Sequence, residues 1–347
     1  MSQQHEHAPA GEPPRRGHFR WQFAPLALGI LVLGGVILIT LHFSEIEEIG
    51  ALAQSAKPEW LLVALLTQGL TYVCATNVWR LALRRTGYSL PLQQLVPLGI
   101  AKLFTDQALP AAGIGGAALV VRALRQRQVP TQASMTALVV GLVSFYIAYL
   151  AVVLLAVLIL WFHHRLSAAL CGAVTIFGSF ALGAPSLILY AAVIRKRSIP
   201  NWASRLPGAR YVSEALREAA PLDALKNVRL MAECVALQLS IFFLDALTLW
   251  IAFKAIGRPI EIFVALCAFA LASAAGSIGL VPLGLGTFEA GAVATLRLLG
   301  VSGAAALAAT LLLRCFTFWL PMIPGIWIAR REIARERTTP IVRPRRR

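Results

Sequence analysis

Apolar runs long enough to cross a bilayer recur along the chain, and the two places where such a run breaks are its most informative stretches. Spans of roughly 20 residues or more are predicted at 21–43, 60–83, 133–162, 167–194, 230–253 and 304–328. Two further apolar stretches, Leu92–Leu124 and Glu261–Leu299, do not fit a plain span. The first halts at Leu109-Pro110 and passes through the glycine loop Ala111–Gly116 before an apolar helix resumes; the second carries Pro282, Gly284 and Gly286 ahead of a new helix. Proline lacks an N–H and glycine favours open or left-handed backbone, so neither stretch continues as one helix. Backbone groups freed at membrane depth are tolerated only inside protein or against a polar cavity. The pattern predicts an all-α integral membrane fold of about six transmembrane helices plus two re-entrant helical hairpins.

Charge then orients the spans. Arg15, Arg16 and Arg20 precede the first span, whereas Glu45, Glu47, Glu48 and Glu59 follow it, which places the amino terminus in the cytoplasm. Arg80, Arg84 and Arg85 close the second span, and Arg122, Arg125 and Arg127 close the first hairpin, so that hairpin enters and leaves by the inner face. The third span ends in an outer turn, His163-His164-Arg165, read as solvated, and the fourth, with a kink at Gly183 and Pro185, ends inside at Arg195-Lys196-Arg197. The segment 198–227, with the charged stretch Arg210–Ala219, is predicted to lie along the inner surface. Three parts follow: a disordered cytoplasmic tail over 1–20, a transmembrane domain over 21–330 and a basic cytoplasmic tail over 331–347. The first twenty residues lack the apolar core of a removable signal, so the first span serves as its own.

Composition narrows the function classes. A hydrophobic share of 58% against 14% charged residues leaves no room for a separate soluble catalytic domain. The net charge of +16 would suit nucleic acid, but the arginines sit beside apolar spans, where orientation and anionic lipid account for them. Cys74, Cys171, Cys234, Cys267 and Cys315 fall in apolar segments without metal-ligand spacing and read as small buried hydrophobes. His5 and His7 beside Glu6 read as solvated tail residues.

Sliding the chain by about 171 residues brings Gly87 near Gly257, Pro110 near Pro282, and Gly113 and Gly115 onto Gly284 and Gly286. Each unit is span, hairpin, span, and an odd number of crossings separates the two copies, so they face opposite sides of the membrane. An inverted repeat with a broken helix in each half points to a transporter whose site lies near the midplane.

The candidate chemistry is sparse. Gly113-Ile-Gly115-Gly116-Ala117-Ala118 has the spacing of a dinucleotide fingerprint but no strand before it. A glycine loop opening into a helix does present free N–H groups to an anion such as a lipid phosphate. It equally permits a tight turn and close packing, and both readings stand. Glu289, at the third position of the helix after Gly286, is placed to cap it. Asp245 falls mid-span with no helix end to explain it, and Arg314 in the last span is its expected partner. Glu233, Lys102 and Asp106 are weaker candidates near interfaces. No HExxH, GxSxG, P-loop or clustered ligand set occurs, so neither an enzyme, a cofactor nor a metal is expected.

Trp79-Arg80 at the end of the second span, LPAAGIGG in the first hairpin, and VPLGLGTFEA followed by LLRCFTFWLPMIPG resemble the lysylphosphatidylglycerol synthase transmembrane, or flippase-like, family. The resemblance runs from about Phe23 to Arg330 and is similar to the amino-terminal flippase domain of multiple peptide resistance factors. It implies two re-entrant hairpins and translocation or binding of a polar-headed envelope lipid in a bacterial-type plasma membrane. The alternative is a non-transporting partner of a separate lipid-modifying or glycosyl-transferring enzyme. Arg80, Pro110, Gly113, Gly116 and Arg122 in the first half, and Pro282, Gly284, Gly286, Glu289 and Arg314 in the second, match by position; with Asp245 they form the expected lipid-binding set. Many members carry an acidic residue where this chain has Ala117 and Ala118. Bifunctional members continue into a soluble aminoacyltransferase, whereas this chain stops soon after its last span, so lysyl transfer is not expected. The partners implied are membrane phospholipids or other amphiphiles, an envelope-lipid enzyme and a second copy of the chain.

Overall fold

A computed structural model describes residues 56–108, 114–163, 172, 223–277 and 286–338, and among these the regular structure is helical, with no strand. The helices are α1 (Pro58–Arg85), α2 (Leu92–Ala108), α3 (Ile114–Gln126), α4 (Thr131–Phe162), the single turn α5 (Asp223–Lys226), α6 (Val228–Ala255), α7 (Ile262–Ser277), α8 (Thr287–Leu298), α9 (Gly303–Arg314) and α10 (Leu320–Thr338). A π-helical segment, Cys315–Trp319, joins the last two. Four stretches, Pro58–Arg85, Thr131–Phe162, Val228–Ala255 and Gly303–Glu332, are long and apolar enough to cross a membrane. The spans expected at 21–43 and 167–194, the surface stretch 210–219 and both hairpin tips lie outside the described residues.

α1 shows which solvent the protein is built for. Its polar residues point inward, with Thr67, Gln68 and Thr71 at most 8% exposed, while Leu62 and Leu66 are 57% and 67% exposed. That arrangement would waste apolar area in water. It is the one a hydrocarbon solvent favours, since leucine gains nothing from leaving lipid whereas a polar side chain gains a partner by turning inward. Each threonine hydroxyl also finds a carbonyl of its own helix, Thr67 at Val63 O (2.8 Å) and Thr71 at Gln68 O (2.7 Å).

The repeat expected from the sequence is present in the helix ends themselves. α1 stops at Gly87 (φ 88°) and α6 at Gly257 (φ 71°), and the same bond closes each: Tyr88 N–H to Leu83 O and Arg258 N–H to Phe253 O, both 3.0 Å. These are helix stops in which a left-handed residue returns the chain onto the last turn. α3 and α8 end likewise, at Gln128 (φ 64°) with Val129 N–H on Leu124 O, and at Gly300 (φ 90°) with Val301 N–H on Leu296 O. Every pair is separated by about 170 residues. α1–α4 and α6–α10 thus share one spacing of helix stops, and they are called the first and second copy below.

The copies meet head to tail. Lys57 N–H, just before α1, donates to Ala255 O at the far end of α6 (3.0 Å), and Trp60 meets Trp250 edge-on at 6.4 Å, so α1 and α6 run antiparallel. Each hairpin then packs on the other copy's last helices, α7 against α4 and α2 against α10. Small residues make these approaches close: a Cβ on Gly325 of α10 would fall 2.6 Å from Phe104 Cβ of α2. Within the second hairpin, a Cβ on Gly291 of α8 would meet Ala275 Cβ of α7 at 2.6 Å. Backbone contact through small residues is the packing mode expected in lipid.

Three details depart from the sequence reading. The final helix runs on to Thr338, past the end of the span expected at 304–328, and Arg127 of the first hairpin grips its Glu332 through both guanidinium ends (3.0 and 2.8 Å). Cys315 is exposed rather than buried, since the π-helical segment turns its side chain outward, while Cys234 and Cys267 are buried as expected. His163 is exposed but not merely solvated: its ring stacks on Phe263, with centroids 4.3 Å apart.

Candidate functional site

The best-formed polar site lies where the second hairpin restarts. Gly286, at φ 82°, is the N-cap of α8, a backbone angle that costs a residue with a side chain roughly 1–2 kcal/mol. One turn in, Glu289 folds back so that Oε2 accepts the Gly286 N–H at 2.7 Å, and the capping role read from its position holds. Its other oxygen, Oε1, accepts from Arg314 Nε at 2.5 Å. Glu289 is 2% and Arg314 13% exposed at the side chain, so this is a buried pair. The Arg314 guanidinium also lies over Phe288 (4.5 Å) and Phe318 (5.3 Å), two aromatic faces that steady a cation away from water.

Local sequence explains the convergence. Gly286 supplies the left-handed turn and Thr287 opens the helix, which puts Glu289 at its third position. Arg314 ends α9, and the following segment widens to π geometry, with Leu320 N–H reaching five residues back to Cys315 O. Such a bulge rotates the side chains around it and is frequent at functional positions. Here Phe288 and Phe318 flank the arginine.

The first hairpin builds the same motif from different residues. Ala117 has no side-chain oxygen to cap α3; instead Asp106 of α2 reaches across, its Oδ1 accepting the Gly116 N–H at 2.9 Å. Its second oxygen is held by Lys102, one turn earlier on α2. A Cβ on Gly116 would run into that carboxylate, so glycine is required there by contact rather than by backbone angle. In both hairpins, then, an amide at the start of the second helix and one cation share one carboxylate. Asp106 and Lys102, weaker candidates in the sequence, carry the site; Glu233 only pairs with Arg229 on an exposed helix face (3.1 Å).

Asp245 does not meet Arg314, and the expected pair is corrected. Arg314 belongs to Glu289, a partner only 25 residues away and brought close by the α8–α9 turn, whereas Asp245 faces α1. There its Oδ1 accepts from Gln68 Nε2 at 2.7 Å, and the same nitrogen lies 3.1 Å from Thr248 Oγ1. The repeat offered a signal for Gln68, which corresponds to Gln238 in α6. The two have diverged, since Gln238 donates to Gly141 O of α4 at 3.3 Å.

Of the other expected residues, Arg80 is half-buried on α1 and its buried Nε has no hydrogen-bond partner among the described residues, while Arg122 is exposed on α3. Pro110, Gly113, Pro282 and Gly284 lie outside the described residues. The structure thus joins Gly286, Glu289 and Arg314 into one site, holds Gly116 in its counterpart, and leaves Arg80, Arg122 and Asp245 apart from both.

Comparison with known proteins agrees in extent with this architecture. The family described as the lysylphosphatidylglycerol synthase TM region matches residues 26–325. A UPF0104 membrane protein of Methanothermobacter thermautotrophicus is 25% identical over 321 residues, covering 87% of this chain and 92% of its own length. The UPF0104 membrane protein MJ1595 of Methanocaldococcus jannaschii is 21% identical over 315 residues, 87% of this chain and 94% of its own.

Proposed function

The chain belongs to the family of lysylphosphatidylglycerol synthase transmembrane regions, and on that footing we propose that it moves a polar-headed, anionic envelope lipid between membrane leaflets. One observation carries the reading. Beside the broken stretch of the second hairpin, a backbone N–H and an arginine converge on a single buried carboxylate, that of Glu289. Two such donors suit a phosphate oxygen as well as a carboxylate oxygen. In this reading Glu289 occupies the place of the lipid phosphate between turnovers and gives up Arg314 when a head group arrives. Asp106 with Gly116 and Lys102 forms the corresponding station in the first hairpin, so a head group would pass from one copy of the repeat to the other.

The exposed leucines of α1 keep the acyl chains in bilayer while the head group crosses. The antiparallel copies support an inverted repeat, the architecture in which rocking of one half against the other alternates access to a site between them. Both hairpins enter without crossing, and both termini are cytoplasmic. The reading is tested in liposomes holding the purified chain and a fluorescent phosphatidylglycerol, with a membrane-impermeant quencher added outside. More than half of the fluorescence is quenched if the protein moves lipid. Quenching confined to the outer leaflet, as in empty liposomes, would leave a non-transporting role.

A further inference from the structure

The Gln68–Asp245–Thr248 cluster has no part in the station at Glu289, and its chemistry is of another kind. Asp245 lies inside α6 (Val228–Ala255), with roughly 25 Å of helix before it and about 15 Å after it. Among the described residues no cation pairs with it: Arg314 is held by Glu289, Lys254 lies over the Trp250 ring at 4.8 Å, and Arg80 is about 18 Å further along α1. What holds it is neutral. Gln68 donates to Oδ1, Thr248 spends its own hydroxyl proton on Leu244 O (2.9 Å), and Oδ2 has no donor among the described residues.

The titratable groups on the described stretches of α1, α4 and α7 packed against α6 include tyrosines and a cysteine, none of them a cation. Tyr72 of α1 lies within electrostatic reach of Asp245. On α4, Tyr146 packs edge-on against Phe145 and Tyr149 stacks on Phe242; Cys267 of α7 donates to Ala156 O. A carboxylate at membrane depth without a cation is costly in its charged form and is relieved by taking up a proton. The same residue sits on the contact between the two copies, since Gln68 belongs to the first and Asp245 to the second. Adding or removing that charge therefore acts on the joint about which the copies would move.

We propose that Asp245 binds and releases a proton within the membrane, and that its occupancy couples the α1–α6 joint to the proton gradient. The coupling rests on the lipid-moving reading above; the proton site does not. No bond other than that of the exchanged proton changes, with bulk water as its source and sink.

Dicyclohexylcarbodiimide, an apolar reagent that attacks protonated carboxyls, tests the site directly. In the purified full chain, modification mapped to Asp245 by mass spectrometry should fall at least tenfold from acid to alkaline pH and be absent in Asp245→Asn. Asp245→Glu, which keeps a carboxyl, should keep the pH dependence. Modification that does not vary with pH, or none at residue 245, overturns the proposal. In phosphatidylethanolamine–phosphatidylglycerol liposomes with the fluorescent lipid, an imposed pH gradient should change the wild-type rate several-fold, leave Asp245→Asn unmoved and act again on Asp245→Glu. Lipid movement in the wild type that ignores the gradient overturns the coupling. Should no lipid move in any variant while modification still tracks pH, the lipid-moving reading fails and the proton site stands.

Discussion

Removing the Glu289 carboxylate tests the station at the second hairpin most directly. Glu289→Ala deletes the acceptor of the Gly286 N–H (2.7 Å) and the partner of Arg314 (2.5 Å) in one step. Arg314, 13% exposed, then loses the carboxylate that faces its guanidinium. Breaking a buried pair in this way costs about 3–5 kcal/mol, because one charge is left uncompensated. Glu289→Gln keeps an acceptor for the amide and should be less damaging by about 1 kcal/mol, the usual worth of a helix cap. Arg314→Met should cost a similar 3–5 kcal/mol, since it strands the carboxylate instead. Combining Glu289→Gln with Arg314→Met should be milder than the sum of the two by about 1–3 kcal/mol. Thermal unfolding in detergent, followed by loss of the monodisperse peak in size-exclusion chromatography, gives all four values. Single variants as stable as the wild type, or a double variant equal to the sum, would refute the coupling between cap and cation.

The same method separates the pair that the sequence suggested from the one the structure contains: Asp245→Asn and Arg314→Met should be additive to within about 0.5 kcal/mol, and coupling between them would contradict the geometry. Arg127→Met, which removes the two-point contact on the 7%-exposed Glu332, should lower stability by about 3 kcal/mol and free the end of α10 for proteolysis; unchanged cleavage would argue against the clamp. Gly291→Leu should cost at least 1–3 kcal/mol by wedging α8 from α7, whereas equal stability would mean that the two helices part without penalty. Single cysteines in a cysteine-free background report topology: positions 125 and 210 should be closed to an impermeant thiol reagent from outside, and labelling at either would reverse the orientation.

Helix existence was legible because lipid imposes long apolar runs, and α1, α4 and α6 begin and end within about two residues of the runs that announced them. The repeat was legible because glycine stops recur at a fixed interval. Pairing was not, for charge and depth alone made Asp245 and Arg314 the obvious couple, whereas the turn between α8 and α9 brings Glu289 to the arginine first. Capping of Gly116 by Asp106 was hidden for a related reason. The acid lies on the other arm of the hairpin, and only the folded contact between α2 and α3 joins them. Ala117 and Ala118 offer no acid at the start of α3, and Asp106 supplies the accepting oxygen from α2 instead.

The helix stops at Gln128 and Gly300 record the history of the chain as much as its folding. Both adopt the same left-handed angle, but only the second copy has the residue for which that angle is free. Two stops at equivalent places need not carry the same residue, because the constraint on each depends on what its surroundings add. The first copy holds its stop with Arg127 bound to Glu332 next door, and with that anchor it tolerates a glutamine at a cost of about 1 kcal/mol. Gln128→Gly would return that energy, so the half held by the Arg127 contact should become the more stable for it.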